Sequence, residues 1–417
     1  MTKALHRIAV LCLLATTLPA YAQLKPRPDA FPPEECTFPK KAKIMARTIE
    51  QMAEWNLYPT YNVYLEMMER WTQQYPELCR IDTIGTSVNG HLILSMEISA
   101  HLEDTTLPQF FYSSTIHGDE VTGYALMLHL IDTLLSGYGS NAQYTDLINT
   151  TFISINPLSN PDGTYRMGDS TVERSIRYNS NYVDLNRNYP DPFGPSSGTL
   201  AQENQVMIDY VSRRHFALSA NLHGGSEVLN YPWDSFTSAE RPHPDADWWN
   251  DVCKRFVDTC HSYNNTHMRD VCDSGYLAGG DWYIIPGGRQ DYMNYYHNCL
   301  EMTLEISTIK TLPPDRLPEY WHCMQNALVN YIGEVHNLPS DTVGIMQPES
   351  RKLSVYPNPT TGVVRVESGQ WEKSIEVLDV HGKRVLTAKG NEVDLSPLPA
   401  GIYLLRSEGR VARVVKQ

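Results

Sequence analysis

Three observations predict an α/β domain built on a mixed, largely parallel twisted sheet flanked by helices, followed by a small all-β domain. Short apolar runs over residues 110–116, 151–155 and 218–222 have the length and residue types of buried strands. Stretches with apolar residues at helical spacing lie among them, and strands alternating with helices are the mark of a sheet covered on both faces. Beyond about residue 338 the texture changes to brief β runs divided by turn signals, as in a separate antiparallel unit.

Taken in order, the chain opens with Lys3 and Arg7 ahead of an apolar run over residues 8–14 and a small-x-small site at Ala20-Tyr21-Ala22. This predicts a signal peptide over 1–22 and export through the periplasm to a secreted or surface-attached form. The apolar run is far shorter than the ~20 residues that cross a bilayer, and no later stretch reaches that length, so no transmembrane segment is expected. Residues 23–49, rich in proline and charge, read as a linker or short pro-segment. The first folded domain is expected over 50–338. It starts with a helix over 61–75 (Val63, Leu65, Met67, Met68, Trp71), then strands near 81–84 and 92–98. The strand over 110–116 runs directly into a helix over 121–135. A linker over 339–350 and a β-rich domain over 351–417 complete the chain.

The balance of 34 basic against 48 acidic side chains gives a formal charge of −14, which repels phosphate backbones, so nucleic acid is not an expected partner. Once Cys12 leaves with the signal, Cys36, Cys79, Cys253, Cys260, Cys272, Cys299 and Cys323 remain, an odd number that cannot all pair. Export permits disulfides, and Cys253, Cys260 and Cys272 are close enough in sequence to bridge, but spacing does not fix connectivity. No Cys-x-x-Cys pair supports a cysteine zinc site.

The polar clusters sit where strands end, the edge at which such sheets bind ligands. His117 and Glu120 form H-G-D-E at the end of the 110–116 strand, and His223 ends the 218–222 strand ahead of two glycines. Two histidines and one carboxylate leave a fourth position open on a zinc ion, the pattern of hydrolytic rather than structural sites. Between these candidates lie S-N-P-D-G (159–163) and the block 177–191, polar and turn-rich, expected to line a cleft. The strand after residue 299 alternates Leu300, Met302, Leu304 and Ile306 with Glu301, Thr303, Glu305 and Ser307, placing two carboxylates on one face. Periodicity does not choose between the two glutamates, and a solvent face is the plain alternative.

From about residue 50 to 337 the order of these motifs resembles the zinc metallocarboxypeptidase family: H-x-x-E, N-P-D-G, an arginine before D-L-N-R-N, a strand-end histidine, a tyrosine and a strand-borne glutamate. The resemblance implies one zinc ion per chain on His117, Glu120 and His223, with Glu305 rather than Glu301 as catalytic base. It implies that Arg177 stabilises the oxyanion, that Asn186 and Arg187 grip the substrate's terminal carboxylate, and that Tyr283 closes over bound substrate. Asp234 and Gln290 fall on specificity-pocket positions, where a carboxylate and an amide suit a cation. Together with D-L-N-R-N and L-H-G-G-S, they resemble carboxypeptidases N, E, M and D and imply removal of Lys or Arg from peptide or protein C-termini. Those relatives continue into a transthyretin-like domain. Here Y-P-N-P-T-T-G (356–362) and the runs after it instead resemble the sorting domain of type IX secretion in Bacteroidetes, implying the secretion machinery as a partner. A monomer is expected. Competing readings on the same residues are a peptidoglycan stem-peptide hydrolase, a non-peptide amide hydrolase and an inactive surface-displayed binding protein; loss of the base would mark the last, and Glu305 is present.

Overall fold

The structure, a computed structural model, describes residues 44–194, 198–339, 354–367, 374–379, 384–407 and 410–417. The signal peptide, residues 23–43 of the following segment and residues 340–350 of the linker, with Cys12 and Cys36, lie outside these residues. The chain divides between Pro339 and Ser340 into two compact units.

The first unit opens with β1 (Met45–Ala46), β2 (Tyr58–Pro59), α1 (Tyr61–Gln74), β3 (Cys79–Thr86), β4 (Leu92–Ile98) and β5 (Gln109–Ser114). Then come α2 (Thr122–Gly137), α3 (Ala142–Thr150), β6 (Phe152–Asn156), α4 (Pro161–Thr164), α5 (Gln202–Ser212), β7 (Phe216–His223) and β8 (Ser226–Tyr231). It ends with α6 (Ala246–His261), β9 (Tyr276–Ala278), α7 (Gly279–Trp282), α8 (Arg289–His297), β10 (Leu300–Ser307) and α9 (Leu317–Gly333). Local chemistry sets several starts: the Thr60 hydroxyl caps α1 by accepting from the Val63 N–H, and the Asn141 side chain caps α3 by accepting from Gln143 and Tyr144.

Eight strands form one sheet in the order β3-β4-β6-β5-β7-β10-β8-β9. The centre, β6-β5-β7-β10, is parallel, while β3, β4 and β8 join antiparallel and β9 runs parallel to β8. Alternation along β5 explains the two cores. Phe110 and Tyr112 pack with α1, α2, α6 and α9 on one face, whereas Phe111 packs with Met207, Tyr210 and Val211 of α5 and Tyr292 and Met293 of α8 on the other. In β10, Leu300, Met302, Leu304 and Ile306 all join the first core. The opposite face is not a solvent face, because Glu301, Thr303, Glu305 and Ser307 are buried too.

After β5 the chain crosses to β6 on one side and returns to β7 on the other. The carboxyl ends of β5 and β7 therefore flank the switch point where a crevice must open. Among the described residues, no helix is long and apolar enough to cross a membrane.

None of the six described cysteines is bridged in the structure. Bridging within 253–272 does not occur. Cys253 and Cys260 sit two helical turns apart on the buried face of α6, roughly 10 Å along its axis and beyond disulfide reach. Cys272 lies outside that helix against Ser274 and Tyr276.

The second unit comprises β11 (Ser354–Tyr356), β12 (Val363–Glu367), β13 (Ser374–Leu378), β14 (Arg384–Lys389), β15 (Glu392–Asp394), β16 (Gly401–Ser407) and β17 (Arg410–Lys416). Its two sheets, β11-β12-β15 and β14-β13-β16-β17, are antiparallel and share a core of Val364, Val366, Ile375, Val377, Val393 and Leu405.

Candidate active site

The site is built outward from the end of β5. Thr115 adopts φ 61°, a left-handed conformation costly for a β-branched residue, and so turns the chain sharply toward His117. Its hydroxyl donates to the Glu120 carbonyl at 3.4 Å, closing the turn. Gly118 follows because nothing larger fits: a Cβ there would lie 2.4 Å from the Gly163 carbonyl carbon and 2.6 Å from the Ile176 oxygen. The S-N-P-D-G block, expected to line the cleft, is instead a buried brace. Asn160 accepts from the Gly163 N–H at 3.0 Å and donates to the Ile116 and Arg177 carbonyls at 3.2 and 3.3 Å, tying the turn to the segment that carries Arg177.

His117, Glu120 and His223 come together with their donor atoms within 4.8 Å of one another, all three side chains buried. The two Nδ1 atoms are 3.1 Å apart, Glu120 Oε1 is 3.0 Å from His117 Nδ1, and Glu120 Oε2 is 2.9 Å from His223 Nδ1. Each ring is oriented through its other nitrogen. His117 Nε2–H donates to Asp184 at 3.2 Å, which leaves the Nδ1 lone pair facing inward, and His223 Nε2 lies 2.8 Å from the Asn221 side-chain amide. Burial holds His223 neutral, its pKa lowered to about 4. Burial also works against ionising Glu120, but His117 and Lys310 outweigh it and keep that carboxylate well below its usual range. Two imidazoles, each with a ring nitrogen facing inward, and a carboxylate are a fitting donor set for zinc.

Around this centre, Arg177 donates to Asp184 at 2.9 Å and to His117 Nδ1 at 3.2 Å. Asp184 also accepts from the Asn186 N–H at 3.0 Å, so one carboxylate orients His117, Arg177 and the short turn carrying Asn186 and Arg187. Asp184 was not singled out in the sequence, although its place in D-L-N-R-N was the available signal. Lys310, also unforeseen, lies 3.1 Å from Glu120 Oε1.

The two glutamates of β10 part company here. Glu301 is paired with Arg289 at 2.9 Å and accepts from Ser219 at 2.8 Å. Glu305 lies opposite His223 in the parallel register, and its Oε2 is buried without a hydrogen-bond partner among the described residues. Burial first and the Glu120 charge second push its pKa well above the usual carboxylate range. Tyr283, just after α7, is raised by burial and then by Glu305, which places its hydroxyl in the field of the same site.

Asn186 accepts from the Arg289 N–H at 2.9 Å, which commits its oxygen and leaves its NH2 group as a donor; Arg187 donates to the Asn186 carbonyl at 2.9 Å. Deeper in, Gln290 donates to Asp234 at 2.9 Å while its own oxygen is buried without a hydrogen-bond partner among the described residues. Asp291, unforeseen, accepts from the backbone of Asp234 and Ser235 at 2.8 and 2.9 Å and so fixes the Asp234 loop. Burial, with Asp291 adding repulsion, raises Asp234 well above the ordinary range. A Cβ at Gly279 would stand 1.9 Å from Asp234 Oδ1, so only a residue without a side chain leaves room for this carboxylate. The ten residues anticipated from the sequence thus lie around the metal-type centre, along the Asn186–Arg187 turn or, for Asp234 and the α8 residue Gln290, at the Asp234 loop.

Residues 64–327 match the family described as zinc carboxypeptidase, and residues 354–417 match the secretion system C-terminal sorting domain. The chain is 33% identical to carboxypeptidase D of Mus musculus over 294 residues, which span 67% of this chain but only 21% of that protein. It is 31% identical over 315 residues to the carboxypeptidase N catalytic chain of Homo sapiens, covering 66% of this chain and 68% of that one. Among solved structures, thrombin activatable fibrinolysis inhibitor superposes with a TM-score of 0.58 at 20% identity, over 68% of this chain and 76% of that one, a likeness of fold. By these matches the chain belongs to the zinc carboxypeptidase family and carries a C-terminal secretion sorting domain.

Proposed function

We propose that the protein is an exported zinc carboxypeptidase that hydrolyses the last peptide bond of its substrates and prefers C-terminal Lys or Arg. The observation that carries this reading is the convergence of three ligand-type donors with a separate Glu305 carboxylate on the same sheet edge, its Oε2 without a hydrogen-bond partner among the described residues. Zinc held by His117, Glu120 and His223 would supply Lewis acidity to the scissile carbonyl and lower the pKa of a water. Glu305, raised in pKa, takes the water's proton and passes it to the leaving amine. The Arg177 guanidinium, fixed by Asp184, faces the oxygen on which negative charge develops. The free NH2 of Asn186 and the Arg187 fork bind the terminal carboxylate, which restricts cleavage to chain ends. Tyr283 covers the bound residue and shields it from bulk water.

Asp234 and the Gln290 oxygen supply a charge and an acceptor to a cationic side chain, and a cation beside Asp234 offsets the cost of its burial. The sorting domain supports delivery of this activity outside the cell, with the secretion machinery as partner. The test uses blocked dipeptides ending in Arg, Lys, Phe, Leu or Glu, with and without a chelator. Chelator-sensitive release of Arg and Lys, restored by zinc, is the expected outcome. Release of Phe or Leu alone would overturn the pocket assignment, and no release from zinc-loaded protein would overturn the peptidase.

A further inference from the structure

On the sheet face opposite the site, α6 packs along α9, and each helix contributes one buried cysteine to the seam: Cys260 near the end of α6 and Cys323 in the second turn of α9. They are far apart in sequence, yet the Cys323 thiol donates to the Cys260 carbonyl oxygen at 3.5 Å across the seam. The pair has a polar neighbourhood that an ordinary apolar seam lacks. His267 Nδ1 lies 3.2 Å from Glu227, whose other oxygen accepts from Tyr320 at 2.9 Å, and His267 Nε2 is buried without a hydrogen-bond partner among the described residues.

We propose that Cys260 and Cys323 form a disulfide that staples α6 to α9, an inference that rests on export as read above, since an oxidising compartment is where such bonds persist. The bond is made while the chain folds, before the seam closes over both thiols. The Cys323 thiolate attacks an external disulfide, either a small-molecule disulfide or that of a thiol oxidoreductase. A mixed disulfide forms and the first thiol leaves. The Cys260 thiolate then attacks Cys323 Sγ, and the second external thiol leaves. The protein gives up two electrons and two protons, and the external disulfide is reduced to two thiols.

The segment the staple would close contains Tyr283, Gln290 and Glu305, so the half of the domain that carries the base and part of the pocket would be held in one covalent loop. No other pair of described cysteines is placed for this: Cys79, Cys253, Cys272 and Cys299 meet Trp71 and Tyr75, Met302, Ser274, and Ser219 respectively.

The test refolds the full chain in glutathione buffers of graded redox ratio, alkylates it under denaturing conditions without reductant and maps the peptides. Trypsin places Cys260 alone in Phe256 to Arg269 and Cys323 alone in Leu317 to Arg351. Expected are these two peptides linked through sulfur, separated by dithiothreitol, and oxidised even where reduced glutathione is in excess. The thermal midpoint should fall by about 5–10 °C on reduction. The C260S/C323S variant should show the lower midpoint with or without dithiothreitol. Quantitative alkylation of both cysteines after folding in oxidised glutathione would overturn the proposal, as would a midpoint that reduction leaves unchanged. Thiol mapping requires neither catalytic activity nor secretion, so its failure is distinct from failure of the peptidase or export reading.

Discussion

In the proposed pocket, Asp234 would set both selectivity and pH response. Burial first and Asp291 second disfavour its charged form and raise its pKa, and only the ionised carboxylate would attract a substrate cation. Because the folded pKa is raised, the charged form is lost as pH falls through that raised value, not through the ordinary carboxylate range near 4. The KM for a substrate ending in Arg should therefore climb on acidification from pH 8 to 5 more steeply than the KM for one ending in Leu. Replacing Asp234 with Asn should cut kcat/KM for Arg by about 10²–10³-fold and flatten that difference. A parallel pH response of both substrates, or an undiminished preference for Arg in D234N, would remove Asp234 from the pocket. Asp234 was legible in the sequence through motif likeness. Its partner Asp291 was not, since its role is to accept two backbone N–H groups that only the tertiary fold brings to it.

At the scale of elements, the strands were the most readable part, because a central parallel strand must be apolar on two faces and so stands out as a short run. The expected strand over 218–222 is observed as Phe216–His223, and the one over 92–98 as Leu92–Ile98. In β10 the alternation showed two glutamates sharing a face but not which was tied up. That was decided by Arg289, whose pairing with Glu301 is a contact between α8 and the strand that no period encodes. Turns were read less well. S-N-P-D-G is polar in composition yet buried, because its polar groups are spent on the backbone of neighbouring turns. The close approach of Gly118 and Gly163 gives this brace a measurable consequence. Gly118→Ala should destabilise the domain by about 1–3 kcal/mol in urea unfolding and reduce zinc retention, since backbone, not a movable side chain, blocks the added methyl. A G118A protein of native stability and metal content would show that the two turns are not braced against each other.

For the whole molecule, the two units have separate cores and separate textures, so the second should be dispensable for chemistry. A chain ending at Pro339 should retain kcat/KM within about two-fold of the full protein while failing to reach the cell exterior in its host. Loss of activity in the folded truncation would tie the sorting domain to catalysis. The central claim is that one fold edge holds a metal centre and a distinct base, and Glu305→Gln tests it most directly, with zinc content and kcat/KM measured on the same sample. One zinc per chain retained and kcat/KM lowered by about 10²–10⁴-fold is the predicted result. A zinc-loaded E305Q protein that hydrolyses its substrates at the wild-type rate would contradict the account.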